Sequence, residues 1–313
     1  MKIAYLDQNK WIELARAVKD PAAFPGTYAL LKDVGEAVEA GRLALPLTAT
    51  NLYETSKIND PQRRHDLAFT QIVLSKGRVF RGRYSRLEVE VSNVLREDSG
   101  LAPTMRDTRW FLSELFLEAY ADIGDPRVGV EIPARVMEVF RQQPLQAFYQ
   151  FLVLLPNETR TEAVQRFSAG AEDLRRRIET RRTRDAAEPI SMRRKVYGAL
   201  LIIDEIELIL AIARRAGLSW ASVADMPPKT VLRLARDVPT YFIERELSLR
   251  LEAQSRPIEE NDMRDMQAFC AVLPYADLVV AENQFVSLAR QANLGEKYGS
   301  RLSTDLHHLG DIV

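Results

Sequence analysis

The chain has 313 residues, with 43 Lys and Arg against 44 Asp and Glu, three His and one Cys. That length buries a substantial core, and a formal charge of -1 excludes nucleic-acid binding by bulk charge alone while leaving local basic patches open. The single Cys270 excludes an intramolecular disulfide, a Cys-rich zinc site and a CxxC redox pair, and His65, His307 and His308 leave little room for a His-built metal centre.

Residues 2–6, KIAYL, form a short apolar run expected as a strand buried on both faces, and they lead at once into Asp7. A helix is predicted from about Asn9, with Ile12, Ala15 and Val18 on one face and Pro21 closing it. A second runs from Tyr28 to Ala40 and stops at Gly41. Residues 43–48, LALPLT, read as a strand that Pro46 assigns to an edge, and a third helix starts near Asn51. This opening is of α/β type.

The middle reads as helical, with segments at 87–96, 107–121, 131–141, 144–154, 160–182, 191–216, 228–236 and 240–254, and with prolines from Pro103 to Pro239 between them. The apolar stretch 196–213 is interrupted by Asp204, Glu205 and Glu207, and FLVLLP at 151–156 is too short to span a bilayer. With no signal-peptide pattern at the start, the chain reads as cytoplasmic, with no membrane partner. The end returns to α/β character, with a helix over 262–273, a strand over 277–281, a helix over 284–292 and a closing strand or turn over 302–313.

Both apolar strands run into an acid, Asp7 and Glu282. In open parallel sheets, ligands collect outside the carboxyl ends of the strands, so neighbouring parallel strands would bring both acids to one edge. Glu54, in the helix after the second strand, reaches the same edge, and Asp262 and Asp265 share a face of the helix that precedes the last strand. Asp277 starts its strand and belongs at the opposite edge. Two carboxylates about 5 Å apart repel by roughly 3 kcal/mol at an effective dielectric near 20, so such a cluster must share protons or take a hard cation such as Mg²⁺ or Mn²⁺. Simpler roles stand beside this one. Asp7 suits a helix cap, Asn51 to Glu54 a capping box, and Asp262 and Asp265 first-turn acids near an Asn261 cap.

YLDQN, TATNLYE, NDMRDMQAF and VVAENQF, in that order, resemble the motifs of the PIN-domain nucleases, with Asn9 as the small polar residue two positions after the first Asp. The resemblance covers about 1–80 and 260–313. It implies a PIN-like three-layer α/β fold with a parallel sheet, interrupted by a large, mostly α-helical insertion at 81–259. It further implies that Asp7, Glu54, Asp265 and Glu282 are catalytic and metal-binding, with Asp262 as a fifth metal-binding acid, and that Mg²⁺ or Mn²⁺ is the cofactor. The implied activity is endonucleolytic cleavage of RNA, with DNA as the alternative. Implied partners are RNA and an antitoxin or other protein, and a homodimer is left open. Glu282 stands where the family carries Asp, one methylene longer. A catalytically silent scaffold that binds a protein partner is the reading from another class.

Arg175, Arg176, Arg177, Arg181, Arg182, Arg184, Arg193, Arg194 and Lys195 face only Glu172, Asp173, Glu179, Asp185 and Glu188 nearby in sequence. Asn9, by the resemblance, and Arg176, Arg177, Arg181 and Arg182, because the guanidinium fork suits phosphate, are the candidate substrate contacts, though charge runs are also solvated helix faces. RGRYSR at 81–86 is a weaker patch of the same kind, with Tyr84 for stacking. No GxGxxG, P-loop or GxSxG motif occurs, and Cys270 reads as a small core residue.

Overall fold

In a computed structural model, which describes residues 1–102, 107–120 and 132–313, the two ends of the chain meet in one sheet. Strand β1 (Lys2–Leu6) is followed by α1 (Gln8–Lys19), α2 (Pro25–Glu39), β2 (Leu43–Ala44), α3 (Ala49–Lys57) and α4 (Pro61–Ser75). Next come β3 (Val79–Phe80), α5 (Arg83–Asp98), β4 (Leu112–Ser113), α6 (Ala134–Gln142) and α7 (Pro144–Tyr149). The helical run is completed by α8 (Asn157–Arg184), α9 (Ile190–Asp204), α10 (Ile206–Arg215), α11 (Pro228–Asp237) and α12 (Pro239–Glu252). The chain closes with α13 (Glu260–Val272), β5 (Leu278–Val280), α14 (Asn283–Gln291), α15 (Leu294–Tyr298) and β6 (Arg301–Ser303).

The sheet has the order β2-β1-β5-β6, all parallel, with Ala4 opposite Leu278 and Leu6 opposite Val280. β1 is central because its side chains have two cores to enter. Ile3 and Tyr5 join one buried cluster, and Ala4 and Leu6 join the other. β2 lies at the edge, and Pro46, which lacks an N–H, follows it. Asp277 accepts from Ile3 N and Lys2 Nζ, each at 2.8 Å, at the edge opposite Asp7 and Glu282.

The segment expected as an insertion shares its core with the chain ends. Ala171, Ile178, Ile243 and Leu247 pack in one cluster with Tyr5, Met263, Phe269 and Val279. A separate cluster, including Leu87, Val91, Tyr197, Ile209 and Tyr241, lies wholly within 81–259. The region therefore has a core of its own and is also fused to the sheet layer.

Three local expectations are corrected. In α1 the buried face is Trp11, Leu14 and Ala15, whereas Val18 is exposed, because the largest apolar side chain sets the phase. Over the described part of 107–121 there is no α-helix. β4 pairs antiparallel with β3, and a 3-10 turn covers Phe116–Ala119. Phe111 and Phe116 enter different clusters, and residues five apart on an α-helix point roughly 140° from each other. The helix expected over 191–216 breaks at Glu205, whose carboxylate lies 3.2 Å from Arg83. Pro103 and Pro126, read as punctuation, lie outside the described residues.

Candidate functional site

Asp7 leaves β1 and caps α1, with Oδ1 accepting from Gln8 N at 2.8 Å and its own N–H donating to Val280 O at 2.9 Å. That second bond, together with the β1–β5 register, puts Asp7 beside the chain that leads to Glu282. Glu282 is exposed at the start of α14 and accepts from Asn9 Nδ2. Thr48, rather than Asn51, caps α3, and Asn51 is its return partner. Glu54 is consequently the sixth helical residue, free of capping duty, with Arg264 Nε 3.7 Å away. Asp265 is likewise the sixth residue of α13 and accepts from Asn261 Nδ2 at 3.2 Å. Thr50 Oγ1 donates to Arg264 O at 3.3 Å and ties the two helices together at this level.

The four acids share one electrostatic environment. Burial raises Asp7 to about 6, and the Glu282 charge adds to the rise while the Gln8 N–H opposes it. Burial raises Glu54 to about 7, with Asp7 adding and Arg264 and Lys57 opposing. Asp265 goes furthest, to about 8, through burial and then the charges of Asp7, Glu54 and Glu282. Tyr5, buried in β1, is held well above its ordinary value by burial and then by Asp7 and Asp265.

Beneath the acids lies a buried polar ring. Gln8 Nε2 donates to Thr55 Oγ1 at 2.9 Å, Thr55 Oγ1 to Gln71 Oε1 at 2.8 Å, and Gln71 Nε2 to Gln8 Oε1 at 3.2 Å. Asn51 Nδ2 joins it, reaching Gln8 Oε1 at 3.4 Å and Leu6 O at 3.3 Å. All four residues are buried. Satisfied buried networks fix geometry, and this one locks α1, α3 and α4 in register behind the acids. Its one sequence signal is spacing, since Asn51 and Thr55 lie four apart on a helix face that turns inward.

Asp262 is spent elsewhere. Its oxygens accept from Arg256 at 2.6 and 2.9 Å, from Gln284 Nε2 at 2.8 Å and from Glu259 N at 2.8 Å, so it is the return partner of the Glu259 cap of α13 and anchors the preceding loop.

The arginine run is also largely committed. Arg181 lies over the Tyr197 ring at 3.9 Å and 3.6 Å from buried Glu252, and Arg182 donates to Arg256 O and Gln254 O. Arg175 pairs with Glu172, Arg184 with Asp185, Arg193 with Glu252 and Arg194 with Glu246. Arg176 and Arg177 face solvent, and both pair with Asp173. In the weaker patch, Arg81 pairs with Glu118, Arg83 with Glu205 and Glu244, and Tyr84 packs on the helical cluster. The local charge excess is therefore absorbed by acids distant in sequence.

Four oxygen acids, without His or Cys, form a donor set that suits a hard divalent cation. Among the described residues, however, no three His, Cys, Asp or Glu side chains are gathered as a group that could hold a metal ion. Asn9, Asn261 and Arg264 instead engage Glu282, Asp265 and Glu54. Among the described residues, no helix is long and apolar enough to cross a membrane. No protein-family model matches the chain, and no curated protein or solved structure matches it.

Proposed function

We propose that this chain is a metal-dependent endoribonuclease of PIN-like fold, with its active site at the carboxyl edge of the sheet. The observation that supports the reading is the mutual burden of Asp7, Glu54, Asp265 and Glu282, three of them with pKa values pushed up to about 6, 7 and 8. Such a cluster is unfavourable for a structural role alone and suits the binding of positive charge. Asp7 and Asp265 would hold Mg²⁺ or Mn²⁺, with Glu54 and Glu282 completing the set. The bound ion would supply the positive charge that polarises a phosphoryl oxygen and an attacking water. Glu282, exposed and held by Asn9, would otherwise serve to orient that water. Asp262 secures the start of the helix that carries Asp265, and Arg176 is the outward arginine offered for phosphate contact, Arg177 being drawn between Asp173 and Asp204.

The test is cleavage of a fluorescent RNA, and of single-stranded DNA of the same sequence, with and without Mn²⁺. Mn²⁺-dependent cleavage of RNA that disappears in Asp7→Asn, with the fold retained, is the expected result. Equal activity in both proteins overturns it, and preference for DNA reassigns the substrate.

A second reading, a silent scaffold that binds a protein partner, is favoured by the engagement of three of the acids by Asn9, Asn261 and Arg264. It predicts no change in melting temperature on adding Mn²⁺.

A further inference from the structure

A cavity of about 620 Å³ lies between α3, α8 and α13. Tyr53 and Met266, the chain neighbours of Glu54 and Asp265, line it, but none of the four acids does. Its volume corresponds to roughly 20 water molecules by their share of the liquid and falls in the range of small-molecule sites. One wall is a stripe of α8, with Ala163, Phe167, Gly170 and Leu174 at helical spacing, and Phe151 and Leu155 add apolar surface.

The charged lining is unbalanced, with Arg81, Arg83, Arg86, Arg160, Arg166 and Arg177 against Asp204, Glu205 and Glu244. Most of these arginines have acids of their own: Arg81 has Glu118, Arg83 has Glu205 and Glu244, Arg166 has Glu162, and Arg177 has Asp173 and Asp204. Arg160 differs. It is only 8% exposed, and among the described residues no carboxylate lies within 4 Å of it. Its guanidinium donates to Ser56 O at 2.6 Å, Asn157 Oδ1 at 3.2 Å and Asn59 Oδ1 at 3.5 Å, all uncharged, and its buried Nε has no partner. Arg64 adds like charge nearby. A buried cation satisfied only by neutral oxygens retains a large desolvation cost that an anion would offset.

We propose that this cavity is a binding site for an amphipathic anion, with an acyl or aryl body along the α8 stripe and a single carboxylate or phosphate head on Arg160. The site is independent of the nuclease reading and requires no metal.

The experiment measures melting temperature and calorimetric binding for the full chain with decanoate, decyl phosphate, decanol and inorganic phosphate. The expected result is binding of one or both anionic amphiphiles, with decanol and inorganic phosphate without effect. Arg160→Gln is expected to weaken binding about tenfold or more, the worth of a charged hydrogen bond. Because that variant disturbs the Ser56 contact, Gly170→Leu supplies a second arm. A Cβ at Gly170, exposed at the mouth of the cavity, meets nothing within 4 Å, and Leu is favoured over Gly inside a helix, so the fold is retained while the apolar entrance is narrowed. Loss of binding in Gly170→Leu supports the site. The proposal fails if decanol or phosphate alone matches the anionic amphiphiles, if none of the probes binds, or if Gly170→Leu binds as the parent does.

Discussion

Gln8 Nε2 donates to Thr55 Oγ1 at 2.9 Å, and each of these residues directly follows an acid of the cluster, Asp7 and Glu54. The bond bridges α1 and α3 one residue behind the acids, so the spacing of the two carboxylates is set by a contact that is itself out of reach of solvent.

Thr55→Val retains the shape and removes the oxygen, leaving a Gln8 donor and a Gln71 acceptor buried without partners. The expected loss is about 1–3 kcal/mol in urea denaturation, the cost of stranding buried polar groups. Thr55→Ser, which keeps the hydroxyl, should lose less. A Val variant as stable as the parent would show that the ring contributes nothing to stability.

Without added metal, stability should fall as pH rises. Asp7, Glu54 and Asp265 stand at about 6, 7 and 8 in the folded chain, above the value of about 4 for unfolded carboxylates. Over that interval the folded state holds protons that the unfolded state has released. The stabilisation is complete below the unfolded values and is lost as pH passes through the folded ones. Urea midpoints measured from pH 5 to pH 9 check the sign, and a midpoint that climbs across this range contradicts the assignment.

Asp265→Asn removes one charge from the cluster and keeps an oxygen for Asn261. At pH 8 this variant should melt above the parent in the absence of metal and should respond less to Mn²⁺. Stability gained together with metal response lost is the pattern expected of an acid retained for chemistry. A lower melting temperature would make Asp265 a structural residue.

Asp262→Ala should behave in the opposite way. Loss of the paired contact to Arg256 and of the cap on Glu259 N is expected to cost about 2–3 kcal/mol, while any Mn²⁺ response of the folded protein persists. Loss of that response at full stability would return Asp262 to the metal set.

The meeting of Asp7 and Glu282 was legible because apolar strands that end in acids need only be parallel neighbours, and the register makes them so. The position of Glu54 was legible in outline, but Thr48, Asn51 and their shared turn moved the cap three residues upstream. The polar ring was hidden because Gln8, Thr55 and Gln71 look like surface residues until their helices are packed together. Arg181 and Arg182 misled for the converse reason, since Glu252 and the Arg256 carbonyl, about 70 residues away in sequence, are invisible to a count of local charge. The expected helix at 107–121 failed because Phe111 and Phe116 serve two different cores.

The central position of β1 carries a cost in time. Ile3 and Asp277 are bonded across 274 residues, so β1 gains its inner neighbour only after the whole intervening chain has been made. Until then KIAYL has only the short β2 beside it, and an apolar edge is open to other chains. Non-local parallel pairing of this kind slows folding and prolongs exposure to aggregation. Refolding of the full chain should therefore be slow and sensitive to protein concentration, and chains that end before Leu278 should accumulate as aggregates.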